Sequence, residues 1–450
     1  MKYGRKRKEV LNLMKDRLSF KKLLSLSMML FALFFGAGNM IFPPAMGQAA
    51  GTNVWIALAG FIFTDVGLPV LCIAAVVFAN RSLNNALSGP GVGFAFFFVV
   101  LLHLLIGPLF AIPRTGSVSF EMAIVPFIGD GNLLLFSFIY TTIFFGATWF
   151  LSSNPNKIVS IVGDILTPVL LISIFIIGIA AVINPITPMG APVGDYNTIA
   201  FSKGMIEGYN AMDALAAGIF ALIVIENVET MGVKRESGII KYTMLAGVFA
   251  AIGLAVVYGI LAYVGATAGD LGEFSNGGAL LSAVANHMFG TVGQLILGIA
   301  VMFACLTTSI GLTTACGDYF SKHFEKLSYK KVITAVCLFS FCVSNIGLTQ
   351  LLNITVPGLL MVYPVLMALI ITSFFRKWLN RGAYIGIVAG SALVSIPEGL
   401  AALFGTYLPA AAGPIKAFLA MIPFQSLGIG WVVPAAVLGV IGYIIGVVKK

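Results

Sequence analysis

The chain has 450 residues, of which 59% are hydrophobic and only 10% are charged, and its mean hydropathy is +1.02. This composition excludes an ordinary soluble globular domain and indicates a membrane protein with many spans. The net charge is +9, but the placement of the charges is more informative than their sum. The five cysteines fall in apolar segments without disulfide or zinc spacing, so we interpret them as buried small residues.

The N-terminal residues 1–22 form a basic tail that we expect to lie in the cytoplasm beside anionic lipid. Residues 23–64 carry no charged side chain, so this stretch lies in the membrane. Within it, Gly36-Ala37-Gly38-Asn39 interrupts the apolar run. A backbone that leaves the helix at membrane depth exposes N–H and C=O groups that lipid cannot satisfy. Such a break persists only where it is buried in protein or lines a cavity, which favours a transporter.

Twelve apolar segments are each long enough for a span of about 20 residues. They lie at 23–49, 54–79, 93–112, 132–151, 158–183, 204–228, 240–268, 291–317, 331–347, 350–374, 383–404 and 428–448. With the N-terminus inside, 23 of the 26 Lys and Arg residues fall on the inner side, and the outer loops hold Arg114, Lys203 and Lys416. This asymmetry predicts a membrane protein with both termini in the cytoplasm and an even number of spans.

The sixth segment is also unusual, because Glu207, Asn210 and Asp213 lie in a stretch that is otherwise compatible with lipid. Asp213 precedes an Ala-rich apolar run, a pattern typical of an N-cap that opens a new helix. The first and sixth segments are five apart, so two halves of five spans each have opposite orientations. Discontinuous helices at matching places in two inverted halves predict a central binding site.

The predicted fold is an all-α polytopic membrane protein with 12 transmembrane helices. Ten of them form a 5+5 inverted repeat in which helices 1 and 6 are discontinuous, and helices 11 and 12 lie outside the repeat. After the tail at 1–22, we predict a single transporter domain at 23–450. It contains the first inverted repeat at 23–183, the second at 204–374 and the two accessory helices at 383–448.

Several stretches resemble the bacterial branched-chain amino acid carriers, which are cation symporters for leucine, isoleucine and valine. The stretches are 34–44, 107–115, 207–209, 212–216 and 347–350. The resemblance covers about residues 20–448, in order and without large gaps, and it implies a leucine-transporter-like (APC-like) fold. Asn210-Ala211 stands where we expect Gln-Thr in this family, which leaves the fine selectivity of the pocket open.

The resemblance implies that the substrate binds between the two breaks. The residues implied are Ala37, Gly38, Asn39, Asn210, Ala211, Met212 and Asp213. The first three lie at the positive end of a half-helix, where backbone N–H groups suit an α-carboxylate. Carbonyl groups at the next three are expected to accept hydrogen bonds from the substrate ammonium. Three roles stay open for Asp213: pairing with the ammonium, binding a cation, or only capping the helix.

The resemblance also implies a sodium site on the eighth span. Its ligands are the carbonyls of Ala32, Phe35 and Ala304 and the hydroxyls of Thr307 and Thr308. Neutral oxygen ligands suit a hard cation such as sodium. Two alternatives stay open. In the first, the pair of hydroxyl ligands is Thr308 and Ser309; in the second, these hydroxyls bind no ion and only bond to the preceding helical turn. For Gly36 and Gly38 the alternative role is close helix packing.

The sequence therefore predicts a secondary active transporter that imports leucine, isoleucine and valine by sodium symport through alternating access. A bundle of helices 1, 2, 6 and 7 is expected to rock against helices 3, 4, 8 and 9. The near alternative is a proton-coupled transporter of the same or another small amino acid or solute on the same fold. The distant alternative is a polytopic membrane enzyme, for which His103, His287 and His323 are too scattered to form a catalytic cluster.

The predicted partners are the amino-acid substrate, the coupling ion and the lipid bilayer. We expect no cofactor apart from sodium as the coupling ion, no nucleic-acid partner and no obligate protein partner.

Overall fold

The computed structural model describes residues 17–129, 131–153 and 167–448, and within them the secondary structure is helical, as predicted. The helices are α1 Phe20–Phe34, α2 Ala37–Ala50, α3 Val54–Ile62, α4 Leu68–Phe78, α5 Leu83–Ala86, α6 Val92–Leu104, α7 Ala111–Ala123, α8 Val125–Ile128, α9 Leu133–Ser152, α10 Thr167–Ile183, α11 Ala200–Ala211, α12 Asp213–Thr230, α13 Glu236–Ala266, α14 Gly277–His323, α15 Tyr329–Ser344, α16 Leu348–Ser373, α17 Arg381–Tyr407, α18 Pro409–Ala420 and α19 Val432–Val448. Most of the predicted tail 1–22 and the start of the predicted span 158–183 lie outside the described residues.

The described helices are built to lie in a membrane. Seven helical stretches among the described residues are long and apolar enough to cross one, or eight if the bent pair α11–α12 forms one span. Large apolar side chains such as Trp55, Ile143 and Ile183 are exposed on the outer faces, which is typical of contact with lipid. The chain is therefore membrane-embedded, whereas the count of 12 spans, the inverted repeat and the inside position of the termini stay predictions.

Two helices continue beyond the predicted segments. Helix α14 consists of two helical stretches that meet at Gly290, whose φ of 63° and ψ of −165° are not helical. The second stretch begins at residue 291, as predicted for the span 291–317, and continues beyond it to His323. The predicted span 93–112 is also too short, because a π-helical turn after α6 leads into α7, which continues to Ala123. Arg114 consequently lies in a buried helix, and its predicted placement in an outer loop is wrong.

The first break is only two residues long. Phe35 and Gly36 separate α1 from α2, which begins at Ala37. A helix lies on each side of these two residues, so the chain leaves the helical conformation within an apolar stretch, as predicted. Pro43 and Pro44 lie in the second turn of α2 and not at its start.

The second break is a single left-handed residue. Met212 has φ 74° and ψ 8° and joins α11 to α12, which are bent by 49°. Asp213 is therefore the first residue of α12 and makes no side-chain cap bond, so its interpretation as the N-cap is wrong. Its carboxylate bonds elsewhere, as described below.

Glycines bring four elements into backbone contact around the breaks. A β carbon at Gly47 would overlap the carbonyl oxygen of Ala262, and one at Gly265 would overlap that of Pro44, so α2 and α13 touch from both sides. The same relation joins α11 to α3 at Gly204. Close approach of small residues is how membrane helices gain packing energy without a hydrophobic driving force. Helices α2, α3, α11 and α13 therefore form one closely packed group.

We expect Gly47→Ala to destabilise the protein by about 1–3 kcal/mol, because the new methyl group forces α2 away from α13. Gly146→Ala is the matched control, since no atom lies within 4 Å of a β carbon built there. The measurement is the thermal unfolding midpoint of the detergent-purified proteins. Equal midpoints for the two variants would contradict the close packing of α2 on α13.

Candidate functional site

The two breaks face one small cavity with a volume of about 30 Å³, enough for one or two water molecules. It is lined by Leu33, Phe34, Gly36, Ala37, Gly38, Asn39, Ile106, Ala111, Arg114, Thr115, Ala211, Met212, Asp213, Ala216, Phe220, Thr308 and Leu312. The predicted substrate residues are all among these except Asn210. Of the predicted sodium ligands, Thr308 lines the cavity, and Ala32, Phe35, Ala304 and Thr307 do not.

The side chain of Asn39 stabilises the first break. The Gly36 N–H would reach the Ala32 carbonyl in a continuous helix, but it donates to Asn39 Oδ1 at 2.9 Å. The amide nitrogen of Asn39 donates to Asp213 Oδ2 at 2.9 Å and also to the Tyr258 hydroxyl. Because Asn39 is only 1% exposed, these bonds form away from water. One amide therefore joins the first break to the start of α12 and to α13.

Asp213 is the acceptor at the centre of this network. Its Oδ2 accepts from Asn39 and from the hydroxyl of Tyr258, which lies 3.2 Å away. The role of a helix cap alone is excluded by these bonds, while pairing with an ammonium or binding a cation stay predictions. The sequence analysis did not find Tyr258, since a tyrosine in a long apolar helix carries no local signal beyond the need of a buried hydroxyl for a partner.

Arg114 holds the other side of the site, at the C-terminal end of α11. Its Nη1 donates to the carbonyl oxygen of Asn210 at 2.6 Å, and its Nη2 donates to that of Ala211 at 3.2 Å. The guanidinium carbon also lies 5.3 Å from the centre of the Phe42 ring. Carbonyls at a helix C-terminus lack partners within the helix and attract cations. The acceptors predicted for a substrate ammonium thus already receive hydrogen bonds from a buried side chain.

Two further polar side chains near the site have partners of their own. Glu121 accepts a hydrogen bond from Asn276. The side-chain amide of Asn210 donates to Glu207 at 3.1 Å, so this side chain does not line the cavity. The contribution of Asn210 to the site is its backbone carbonyl.

The hydroxyl groups of α14 differ in their bonding. Thr307 Oγ1 donates to the Phe303 carbonyl at 2.9 Å, and the Ser309 hydroxyl lies 3.2 Å from a threonine hydroxyl of α9. Thr308 Oγ1 is buried and has no hydrogen-bond partner, and it would lie 3.0 Å from a β carbon built on Gly36. Back-bonding to the preceding turn thus accounts for Thr307, whereas the free Thr308 oxygen faces the first break.

Asp65 is a further buried acid beside this network. It lies in the π-helical turn Phe63–Gly67, is 0% exposed, and neither of its carboxylate oxygens has a hydrogen-bond partner. The Tyr258 hydroxyl and the Asp213 backbone N–H face it. The sequence marked Asp65 as a charge near membrane depth without assigning its partner.

The chain matches the family described as "Branched-chain amino acid transport protein" over residues 19–449. It is 45% identical over 436 residues to the branched-chain amino acid permease BraB of Bacillus subtilis, covering 96% of this chain and 97% of that protein. The chain belongs to the branched-chain amino acid transport protein family. It is also 39% identical to the branched-chain amino acid transport system 2 carrier protein of Pseudomonas aeruginosa, with 92% and 94% of the two chains covered.

Another member of the family, the branched-chain amino acid permease BrnQ of Escherichia coli K12, is 35% identical and covers 96% of this chain and 97% of that protein. The relatives of the chain are named permeases and carriers, which agrees with the prediction of a transporter and not an enzyme.

Solved transporter structures share the fold of this family member. Mhp1, a nucleobase-cation-symport-1 family transporter in a closed conformation with bromovinylhydantoin bound, matches with a TM-score of 0.55 at 16% identity, covering 91% of this chain and 96% of that chain. MhsT in complex with L-phenylalanine matches with a TM-score of 0.50 at 15% identity, covering 94% and 98%. At these identities the likeness shows the fold alone, and it supports the leucine-transporter-like class.

We expect Asn39→Ala to destabilise the protein strongly, because the Gly36 N–H and Asp213 both lose a buried partner. Each buried group left without a partner costs about 1–3 kcal/mol. Asn197→Ala is the control, since Asn197 is exposed and bonds only to carbonyls of its own loop. The readout is thermal unfolding in detergent, and a midpoint for Asn39→Ala equal to that of the control would show that the network does not stabilise the break.

Proposed function

We propose that this protein imports leucine, isoleucine and valine by sodium symport through alternating access. Its family membership supports branched-chain amino acid transport as the activity. The observation that carries the proposal is that both helix breaks line one cavity. Discontinuous helices at such a place supply backbone groups that recognise the charged ends of a substrate and a coupling ion.

The α-carboxylate of the substrate is assigned to the start of α2. Ala37, Gly38 and Asn39 form the first turn of this helix, where N–H groups lack partners within the helix. The positive end of the helix dipole adds to the attraction. The substrate carboxylate is assigned to the backbone N–H groups of this turn and not to the side-chain amide of Asn39. That amide already bonds to Gly36, Asp213 and the Tyr258 hydroxyl.

The substrate side chain is assigned to the apolar part of the cavity. Its walls there are Leu33, Phe34, Ile106, Ala216, Phe220 and Leu312. Aliphatic side chains offer no hydrogen bonds, so selectivity rests on shape and on roughly 1–3 kcal/mol for each methylene group. Overlapping transport of leucine, isoleucine and valine follows from this limit.

The sodium ion is assigned to the gap between the first break and α14. The Ala32 carbonyl loses its usual donor because the Gly36 N–H bonds to Asn39, and Thr308 offers a buried hydroxyl without a partner. Ala304 lies one turn before Thr308 on the same helix, which suits a carbonyl ligand on the same face. The Phe35 carbonyl and the Thr307 hydroxyl complete the proposed set. The Thr307 and Ser309 hydroxyls each already have one partner, so their bonding does not choose between this register and the shifted one.

The packing around the breaks bears on the proposed motion. Helices α2, α3, α11 and α13 pack through glycines, and Gly277 at the start of α14 also lies against the backbone of α2. Arg114 of α7 and Thr308 of α14 line the cavity beside the breaks. One sodium ion moving through about 100 mV supplies about 2.3 kcal/mol. A tenfold sodium gradient adds about 1.4 kcal/mol. Together they support an amino-acid gradient of roughly several hundredfold.

Coupling to protons is the second candidate, and Asp65 is the observation that favours it. Both oxygens of this carboxyl group are buried without partners. A carboxyl in such a place is accommodated at lower cost as a neutral acid than as an anion. Sodium remains the preferred ion because the ligands proposed at Ala32 and Thr308 are neutral oxygens, which suit a hard cation.

The test is initial uptake of labelled leucine into proteoliposomes under a sodium gradient or a proton gradient, imposed separately. We expect the sodium gradient to drive uptake and Thr308→Val to reduce this uptake at least about tenfold, equivalent to about 1.4 kcal/mol. Thr142→Val is the matched control, since this exposed hydroxyl bonds only within α9. Uptake driven by the proton gradient alone would overturn the sodium assignment, and full sodium dependence in a Thr307→Ala, Thr308→Ala double variant would overturn the ligands.

A further inference from the structure

The guanidinium of Arg114 occupies the carbonyl end of α11 within the proposed binding site. Its two Nη atoms donate to the carbonyl oxygens of Asn210 and Ala211 at 2.6 and 3.2 Å. The resemblance to the branched-chain carriers assigns these carbonyls, together with that of Met212, to the ammonium group of the amino acid. A guanidinium and an ammonium are both cationic N–H donors, so the same acceptors suit either.

The space beside these carbonyls holds one cation and not two. A β carbon built on Gly38 would lie 2.5 Å from Arg114 Nη2 and 2.9 Å from the Ala211 carbonyl oxygen. The guanidinium therefore fills the gap between α2 and α11. A second cation at the same carbonyls would meet both this steric limit and the repulsion between like charges, which is strong in a buried site.

We infer that Arg114 is an internal substitute for the substrate's ammonium group, and that the two cations occupy the carbonyls of Asn210 and Ala211 in alternation. The inference rests on the proposed function, because it requires an amino acid as the substrate. It gives Arg114 a role in the step in which the carrier returns across the membrane without substrate. When no ammonium is present, the guanidinium satisfies the carbonyls that would otherwise be buried without partners.

Two features of Arg114 agree with a side chain that leaves its place during the cycle. Its Nε is buried without a partner, so the guanidinium is incompletely bonded where it lies. It also bridges two units, because Arg114 belongs to α7 while its acceptors end α11, which packs with α2, α3 and α13. Asp213 and Asp65 are the acidic residues near the guanidinium.

The consequence is a difference between two modes of transport. In exchange of leucine for leucine, the carrier crosses loaded in both directions, and an ammonium is always available for the carbonyls. In net uptake the carrier must return without amino acid, and this step alone depends on Arg114. Replacement by a neutral residue should therefore slow net uptake more than exchange.

The experiment measures the initial rates of net leucine uptake and of leucine–leucine exchange in the same proteoliposomes. For Arg114→Gln and Arg114→Met we expect the ratio of net uptake to exchange to fall at least about tenfold, the effect of losing one charge-assisted hydrogen bond. Arg114→Lys, which keeps a cation, should restore the ratio to within about threefold of the wild type. Ser119→Ala is the control on the same helix, since its hydroxyl bonds only to the preceding turn.

The ratio separates this role from a structural one, because poor folding lowers both rates together and leaves the ratio unchanged. A wild-type ratio in both neutral variants would overturn the inference while leaving the proposed function intact. If the wild-type protein shows neither leucine uptake nor exchange, the proposed function fails and the inference fails with it.

Discussion

A helix that stops inside a membrane leaves backbone groups that lipid cannot bond, and the centre of this protein is arranged around that constraint. At the first break, the side chain of Asn39 accepts the Gly36 N–H that the helix no longer uses. At the second break, the guanidinium of Arg114 donates to the last carbonyls of α11. Each break is thus satisfied by a side chain, which leaves other backbone groups of the same turns available to a ligand.

These side chains come from different parts of the architecture. Asn39 of α2, Asp213 of α12 and Tyr258 of α13 form one hydrogen-bonded network, and α2 and α13 also pack together through glycines. Arg114 of α7 and Thr308 of α14 line the cavity beside the breaks. The cavity therefore lies where elements from different parts of the chain meet, and contacts across it are the ones that a relative motion of these elements must change.

The sequence predicted the parts of the site that have a local signal. Glycines within an apolar run indicated the first break, and charged residues within the sixth segment indicated the second. The exact ends of the helices were harder to predict, because Met212 takes the left-handed conformation and makes Asp213 a helical residue. Tyr258 could not be predicted from the residues around the break, because it is 219 residues away from Asn39 in the sequence.

Arg114 illustrates the same limit in a different way. Its charge and the nearby prolines indicate the end of a span, and the positive charge fits an outer loop as well as a buried site. The decisive fact is the π-helical turn that carries the chain into α7 and directs the guanidinium to α11. Such a contact depends on tertiary structure, since no feature of residues 105–123 alone specifies a carbonyl acceptor on another helix.

The bonding of Asn39 also has a consequence for the chemical ageing of the protein. Its side chain needs an acceptor oxygen toward Gly36 and two N–H donors toward Asp213 and Tyr258, and only a primary amide has both ends. Deamidation would replace the donor end with a second carboxylate oxygen beside Asp213. A single hydrolysis at this side chain, with almost no change in its shape, would therefore turn an attraction between the two breaks into a repulsion.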